Sequence, residues 1–206
     1  MTICGVDDAG RGSLLGPLVI AGITAKKSTI KEFSRLGVKD SKLLSPEVRE
    51  KLYKKIIKLA DDYAVVRISP SIIDRSVKNH RLNYLEAKYM AKVMSKLDFN
   101  ISLVDACDVN INRFGNMIKK YADNKAIKCF HKADQRFVIV SAASIVAKVT
   151  RDRAMARIRK DHDLGSGYPS DKRTRSFVRK TVESKIELPK FVRTSWKTIQ
   201  TLQLID

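Results

Sequence analysis

The first 25 residues restrict the fold more than any other stretch, because two apolar runs flank a single glycine-containing turn. Residues 1–8 and 17–25 are rich in β-branched residues and glycine, which predicts two strands. The intervening DAGRGSLLG predicts the turn that joins them. The chain is therefore expected to begin with a hairpin of two antiparallel strands.

Beyond this hairpin, predicted helices and strands alternate. Residues 44–62 give the clearest helix, with a serine cap, a proline in the first turn and apolar side chains at helical spacing. Further helices are predicted at 83–97, 109–122 and about 142–161, and further strands at 63–70, 100–106 and 126–130. This alternation is typical of α/β architectures. A chain of 206 residues is expected to form one sizeable core with a small helical extension.

Basic side chains dominate the charge of the chain. The 41 lysines and arginines exceed the 22 aspartates and glutamates, which gives a formal net charge of +19. Residues 145–180 alone hold 11 basic and four acidic residues, a net +7 that predicts a basic helix face. A nucleic acid is the partner that this balance favours. A solvated surface that confers solubility is the alternative explanation.

The cysteines and histidines lack the spacing of a disulfide framework or of a zinc site. They are isolated along the chain, at Cys4, Cys107, Cys129, His80, His131 and His162. An odd number of cysteines without a CxxC pair suits a reducing compartment. No apolar run approaches the roughly 20 residues of a membrane span. We therefore expect a cytoplasmic protein that does not bind membranes.

Four carboxylates are expected near one edge of the predicted sheet. Asp7 and Asp8 end the first strand, Asp105 ends a later buried strand, and Asp134 precedes the long helix. Strand ends are where functional sites gather in open α/β sheets. Carboxylates that converge there would bind hard divalent cations through oxygen. Each carboxylate taken alone could instead be a helix cap or a turn residue.

Two neighbouring aspartates can share an ion only under one geometric condition. Successive strand side chains point to opposite faces, so the strand must end or bend between Asp7 and Asp8. Gly10 and Gly12 follow closely and favour such a bend. Two ions about 3.5 to 4 Å apart would then activate a water and stabilise the leaving oxygen in phosphodiester hydrolysis.

The glycine-containing turn does not match the fingerprint of a dinucleotide-binding loop. That fingerprint needs G-x-G-x-x-G at the start of a helix. Here Gly16 lies one residue too far from Gly12, and a strand follows the turn, which excludes this interpretation. The turn is instead suited to bring backbone N–H groups and Arg11 close to a sugar-phosphate chain.

Five segments in collinear order carry a resemblance to a known family. They read GVDDAGRGSLLGPLVIAG, VKDSKLLS, LVDA, HKADQRFVIVSAASIVAKVTRD and GSGYPSD. Over nearly its whole length the chain resembles a type 2 ribonuclease H (ribonuclease HII), of the single-chain archaeal type. The resemblance implies an α/β fold, a ribonuclease H-like mixed β-sheet flanked by helices. It also implies a catalytic domain at 1–160 and a helical C-terminal extension at 161–206, which helps to hold the duplex.

The activity implied by this resemblance is metal-dependent endoribonuclease cleavage. Such an enzyme cuts the RNA strand of RNA/DNA hybrids and cuts 5′ of ribonucleotides embedded in duplex DNA, leaving 3′-hydroxyl and 5′-phosphate ends. The expected cofactor is Mg²⁺ or Mn²⁺, with two ions during catalysis, and the expected state is a monomer. A ribonuclease H-fold nuclease acting on DNA junctions and a hybrid-binding protein without catalysis are the alternatives.

The same resemblance assigns site residues by their place in the motifs. The four acidic metal ligands correspond to Asp7, Asp8, Asp105 and Asp134. The loop that reads the ribose 2′-hydroxyl corresponds to Gly10, Arg11 and Gly12, and the tyrosine that stacks at the ribonucleotide junction corresponds to Tyr168. Residues expected near the substrate phosphates are Asp40, Ser41, Lys42, Lys148 and Arg151.

Two positions depart from the family pattern, and one expected motif is missing. Asp8 stands where glutamate is usual, so this ligand is shorter by about 1.5 Å, one carbon–carbon bond. Ser13 stands where proline is common, a change expected to matter little. A sliding clamp is a possible partner, but the segment SWKTIQTLQLID lacks the paired aromatics of a sliding-clamp peptide and does not support this contact. Trp196 is expected to pack against a helix.

Overall fold

The computed structural model describes residues 1–39, 41, 44–122, 126–184 and 187–203. The strands in this part of the chain are β1 (Thr2–Ala9), β2 (Leu18–Lys26), β3 (Asp62–Ile68), β4 (Ile101–Asp105) and β5 (Ala126–Phe130). They form one sheet in the order β3-β2-β1-β4-β5. Strand β1 runs antiparallel to β2 and parallel to β4, and β4 runs parallel to β5. The predicted hairpin and mixed sheet are confirmed.

Helices flank this sheet. In the described residues they are α1 (Lys27–Arg35), α2 (Pro46–Leu59), α3 (Pro70–Lys78), α4 (Leu82–Met94), α5 (Ile111–Lys119), α6 (Ala133–Arg136), α7 (Val138–Ile158), α8 (Lys172–Glu183) and α9 (Lys197–Gln203). The predicted cap of α2 is present, since the Ser45 side chain accepts a hydrogen bond from the Val48 N–H.

Several elements differ from the sequence-based expectation. Helices α1 and α3 were not predicted, because both are short and largely polar, and neither has a side-chain cap. The strand predicted at 63–70 ends at Ile68, and Pro70 instead begins α3, where its fixed φ suits the first helical turn. Helix α7 begins at Val138 rather than near residue 142, because its apolar first turn is buried in the core.

The chain divides into two compact units that interleave in sequence. The first comprises Met1–Ala9, Val19–Val66 and Asn83–Val149, and the second comprises Gly10–Leu18, Arg67–Leu82 and Thr150–Asp206. Helix α7 contributes to both units. The boundary predicted at residue 160 falls inside the second unit, which also takes in the glycine-containing turn.

In the first unit, helices cover both faces of the sheet. One face of β2, with Val19, Ala21, Ile23 and Ala25, joins α1, α2 and α7 in a single hydrophobic cluster. On the other face, a Cβ at Gly22 would lie 2.7 Å from the Val93 side chain of α4. At Gly5 a Cβ would collide with the backbone carbonyl of Ile139, so only glycine lets α7 begin directly against β1. This contact fixes the start of α7 beside Asp7.

The second unit has its own small core and one hydrogen-bonded clasp. Its buried apolar residues are Leu14, Leu15, Met155, Leu164, Val178, Val192 and Ile199. The Asp74 carboxylate accepts hydrogen bonds from the N–H and hydroxyl groups of Thr194 and Ser195, at 2.6 to 3.1 Å. The clasp thereby joins α3 to the segment before α9.

No helix in the described residues combines the length and the apolar composition of a membrane span.

Removing the clasp is expected to destabilise the protein. Asp74→Ala deletes the acceptor of four hydrogen bonds, and we expect the free energy of unfolding to fall by about 2 to 3 kcal/mol. Urea denaturation of the purified variant measures this change. The control is Asp98→Ala at an exposed position, which should change the free energy by less than about 0.5 kcal/mol. Equal stability of the two variants would contradict the structural role of Asp74.

Candidate active site

The parallel ladder between β1 and β4 brings two carboxylates side by side. Its register pairs Val6 with Val104, so the next residue in each strand is an aspartate, Asp7 or Asp105. Asp7 is only 4 % exposed and lies on the sheet face that packs against α7. There the Ser144 hydroxyl donates a hydrogen bond to its carboxylate.

Asp8 reaches the same region differently. Strand β1 stays paired with β2 through Ala9, so the bend expected between Asp7 and Asp8 is absent. Strand alternation therefore starts the Asp8 side chain on the opposite face from Asp7. The backbone N–H of Asp8 nevertheless donates a 2.7 Å hydrogen bond to Oδ1 of Asp7. The two aspartates are therefore neighbours near the end of β1, and their side chains start on opposite faces of the sheet.

Electrostatics at Asp7 show that the carboxylates repel one another. Burial, the largest cause, raises the pKa of Asp7 well above its usual value, and the charges of Asp8 and Asp105 raise it further. The hydrogen bonds from Ser144 and from the Asp8 N–H act in the opposite direction. A positive charge placed among these carboxylates would relieve the repulsion.

Asp134 belongs to a segment anchored on Asp105. The Ala133 N–H donates a 2.6 Å hydrogen bond to Oδ1 of Asp105, and the Ser141 hydroxyl donates one to the Asp134 carbonyl, also at 2.6 Å. Asp134 is 3 % exposed in the first turn of α6. The charges of Asp8 and Asp105 therefore both act on Asp7, and Asp134 lies on a segment that is hydrogen-bonded to Asp105.

The donor atoms of these residues suit a hard divalent cation. They are carboxylate oxygens without sulfur or imidazole, the set that Mg²⁺ and Mn²⁺ prefer. Among the residues described, no three His, Cys, Asp or Glu side chains are already arranged as a metal site. The fit therefore rests on donor chemistry and on the repulsion at Asp7, not on a preformed cage.

Hydroxyl groups extend the network behind Asp7. The Ser41 and Ser144 hydroxyl oxygens are 2.9 Å apart, and Ser41 is buried. Ser41 was expected near substrate phosphates, and here its hydroxyl contacts the residue that bonds Asp7. Ser144 was missed, although it shares a face of α7 with Ser141 and Lys148 at helical spacing. Asp40 and Lys42 lie outside the described residues.

In the second unit, the glycine-containing turn packs on a buried arginine. Gly10 has φ +92°, a conformation that favours glycine, and a Cβ there would collide with the Arg151 side chain. Gly12 has no atom within 4 Å of its Cβ position, apart from its chain neighbours, and it is exposed. The turn is therefore closely packed at Gly10 and has open space beside Gly12.

Arg151 connects this turn to Tyr168. The side chain is fully buried, and its Nη2 donates to the Ser13 hydroxyl at 2.7 Å and to the Ser166 carbonyl at 3.2 Å. Its guanidinium carbon lies 4.5 Å from the centre of the Tyr168 ring, a cation–π contact. The residue expected at substrate phosphates is therefore engaged inside its own unit.

Two further residues fix the turn, and sequence reasoning did not single them out for this role. Arg193, also fully buried, donates from Nε to the Gly16 carbonyl at 3.0 Å and from Nη1 to the Arg11 carbonyl at 2.9 Å. The buried Ser13 hydroxyl lies 2.7 Å from the Gly167 carbonyl oxygen. Ser13 thus has a larger structural part than expected.

Solved structures with the same fold define the class of protein. The ribonuclease H2 of Pyrococcus horikoshii OT3 superposes with a TM-score of 0.91 at 39 % identity, covering 100 % of this chain and 98 % of that one. The Archaeoglobus fulgidus ribonuclease HII, solved as a PCNA complex, gives 0.89 at 36 % identity over 98 % and 96 %. A ribonuclease HIII bound to Mn²⁺ shares the fold at 18 % identity, with a TM-score of 0.83, 100 % of this chain and 70 % of that one. The chain is an α/β protein with the ribonuclease H-like fold.

Sequence comparison then defines the family. The profile of ribonuclease HII matches residues 4–199. A ribonuclease HII of Cenarchaeum symbiosum is 50 % identical over 98 % of both chains, and one of Thermococcus sibiricus is 44 % identical over 98 % of this chain and 92 % of its own. The chain belongs to the ribonuclease HII family, endonucleases with ribonuclease H activity on RNA/DNA hybrids. The family resemblance stated from the motifs is confirmed.

Because the carboxylates around Asp7 repel one another, one substitution is expected to raise thermal stability and to weaken metal binding. Asp7→Asn removes a buried charge, so without metal we expect the melting temperature to rise by about 2 to 4 °C. The same variant should lose the stabilisation that Mn²⁺ gives the unmodified protein. Thermal melts with Mn²⁺ and with EDTA measure both effects, and exposed Asp98→Asn is the control. A lower melting temperature with an intact Mn²⁺ shift would contradict the assignment.

Proposed function

We propose that the protein is a divalent-metal-dependent endoribonuclease. It cuts the RNA strand of RNA/DNA hybrids and cuts 5′ of single ribonucleotides embedded in duplex DNA, leaving 3′-hydroxyl and 5′-phosphate ends. Family membership supports the action on hybrids. The observation that supports metal dependence is the buried Asp7 carboxylate, destabilised by its neighbours Asp8 and Asp105.

The acidic residues would hold Mg²⁺ or Mn²⁺, two ions in the full reaction. The proposed ligands are Asp7, Asp8, Asp105 and Asp134. A bound ion supplies an activated water and stabilises the charge on the leaving oxygen. The chain itself orients the ligands, because the Ser144 hydroxyl bonds Asp7 and the Ala133 N–H bonds Asp105.

Ribonucleotide selection is assigned to the turn Gly10–Gly12 and to Tyr168. A ribose differs from a deoxyribose by a 2′-hydroxyl that both donates and accepts hydrogen bonds. The exposed backbone at Gly12 offers partners for such a group, and Tyr168 offers a ring for stacking at the junction. Arg151 contacts both the turn and the Tyr168 ring, which supports a positioning role in place of a phosphate contact.

Further contacts with the substrate are proposed for Lys148, Ser41 and Lys42. Lys148 shares a face of α7 with Ser144, which supports a contact with the substrate backbone. Ser41 is assigned an indirect part through Ser144, and Lys42 keeps its assignment by motif alone. The net charge of +19 on the whole chain favours binding to the phosphates of a duplex substrate.

Location and partners complete the proposal. No disulfide joins Cys4, Cys107 or Cys129 in the described part of the chain, which favours a reducing compartment. We propose that this compartment is the cytoplasm and that the enzyme acts as a monomer. A relative was solved with PCNA, which makes a sliding clamp a candidate partner. Trp196 packs against the core of the second unit, so we do not assign it to clamp binding.

A cleavage assay with labelled duplexes tests the proposed activity. The substrates are an RNA/DNA hybrid, a DNA duplex with one ribonucleotide and an all-DNA duplex, each with Mg²⁺, Mn²⁺ or EDTA. We expect cuts in the first two only, and only with metal. Asp105→Asn should lower the rate by about a thousandfold or more while hybrid binding persists. Cutting of all-DNA substrates, or binding without any cleavage, would contradict the proposal in favour of a junction nuclease or a non-catalytic binder.

A second substitution tests the shortened ligand. Asp8→Glu extends the side chain by about 1.5 Å from the face opposite Asp7, and we expect cleavage in Mg²⁺ to be retained or increased. Steady-state rates with the single-ribonucleotide duplex measure the effect, and Asp8→Asn, which should be strongly impaired, is the matched control. Inactivity of a folded Asp8→Glu protein would show that the backbone has adapted to aspartate.

A further inference from the structure

The loop after β4 presents an apolar side chain to solvent. Val109 is 93 % exposed, more than any other large hydrophobic residue in the described part of the chain. It lies four residues beyond Asp105, at the end of the strand that carries this carboxylate. None of the roles assigned above involves Val109.

A buried carboxylate braces the loop beside Val109. Asp108 accepts hydrogen bonds from Nη2 and Nε of Arg113 at 2.6 and 3.1 Å, from Nδ2 of Asn83 at 2.9 Å and from the Asn110 N–H at 2.8 Å. The Arg113 hydrogen bonds are the largest cause that lowers the pKa of Asp108, to about 2. The residue before Val109 is thus held by four hydrogen bonds.

Asn110 and the backbone carbonyl of Val109 are also held by hydrogen bonds. Asn110 caps α5, where its side chain accepts a 2.9 Å hydrogen bond from the Arg113 N–H. Nε2 of His131 donates to the Val109 carbonyl at 3.2 Å. The exposed valine therefore sits on a fixed scaffold, and ordering it on contact with a ligand would cost little conformational entropy.

The His131 contact places Val109 near Asp105, at the edge of the carboxylate cluster formed by Asp7, Asp8 and Asp105. His131 comes two residues before Ala133, whose N–H is bonded to Asp105. Positive charge lies on the same segment as His131, from exposed Lys132. An apolar tip with a cation nearby, beside the proposed catalytic carboxylates, matches the sugar surface and the phosphates of a nucleic-acid strand.

We propose that Val109 is a substrate contact that packs against the sugar and base edge of the bound duplex next to the cut. The inference rests on the proposed endoribonuclease function and adds a specific apolar contact to it. Apolar side chains make such contacts in nucleic-acid grooves, where they gain free energy from the area removed from water. Lys132 supplies positive potential for the neighbouring phosphates.

A substitution series isolates the apolar character of the contact. Val109→Ala shortens the side chain, Val109→Thr keeps nearly the same shape with a polar hydroxyl, and Val109→Leu keeps an apolar tip. We expect the Ala and Thr variants to raise KM for the hybrid about three- to tenfold with kcat within twofold of the unmodified enzyme. The Leu variant should match the unmodified enzyme. All three melting temperatures should be unchanged, because the side chain is exposed.

The salt dependence of KM separates this contact from an electrostatic one. An apolar contact releases no counterions, so Val109→Thr should leave the slope of log KM against log salt unchanged. Tyr121→Ala is the control, because it removes an exposed aromatic side chain that follows α5 and thus lies away from the end of β4. A KM for Val109→Thr equal to that of the unmodified enzyme would overturn the proposal.

Photo-crosslinking provides a direct readout of position. With p-benzoylphenylalanine at position 109, we expect crosslinks to the hybrid within about three nucleotides of the cut. The same group at position 121 should give none there. Cleavage by the unmodified protein reports on the proposed function separately. An active enzyme without a crosslink from position 109 would overturn the Val109 proposal alone, whereas absence of cleavage would overturn the function on which it rests.

Discussion

The parallel register of β1 and β4 is the constraint on which the candidate site depends. It sets buried Asp7 beside half-buried Asp105. Two like charges at 4 Å would repel by about 4 kcal/mol at an effective dielectric of 20. The fold tolerates this arrangement because a helix packs closely at Gly5 and brings the Ser144 hydroxyl to Asp7. The repulsion that remains is the physical reason to expect a cation.

In the second unit, two buried arginines shape the turn that is proposed to read the ribose. Removing a guanidinium from water is costly, and polar contacts offset part of that cost. Arg151 has the Ser13 hydroxyl, the Ser166 carbonyl and the face of an aromatic ring, and Arg193 has two carbonyls of the turn itself. The turn is thus shaped by cations behind it, which leaves its exposed backbone for recognition.

Periodicity and strand-end logic predicted much of the fold and the proximity of Asp7 and Asp105 at the ends of β1 and β4. The strand at 126–130 matches β5 at both ends, and Asp105 ends β4 as expected. What could not be predicted depends on contacts between residues distant in sequence. The Ser144 hydroxyl reaches Asp7 only because α7 packs on β1. The turn is held by hydrogen bonds from Arg193, which comes from a segment distant in sequence. The bend expected after Asp7 is absent because pairing with β2 continues.

The most direct test of the central claim is the position of bound metal. Crystals of the unmodified protein soaked in Mn²⁺, with diffraction data collected at the manganese edge, locate the ion independently of activity. We expect an anomalous peak about 2.0 to 2.6 Å from carboxylate oxygens of both Asp7 and Asp105. A soak at a Mn²⁺ concentration that supports cleavage, with no peak beside Asp7, would contradict the account.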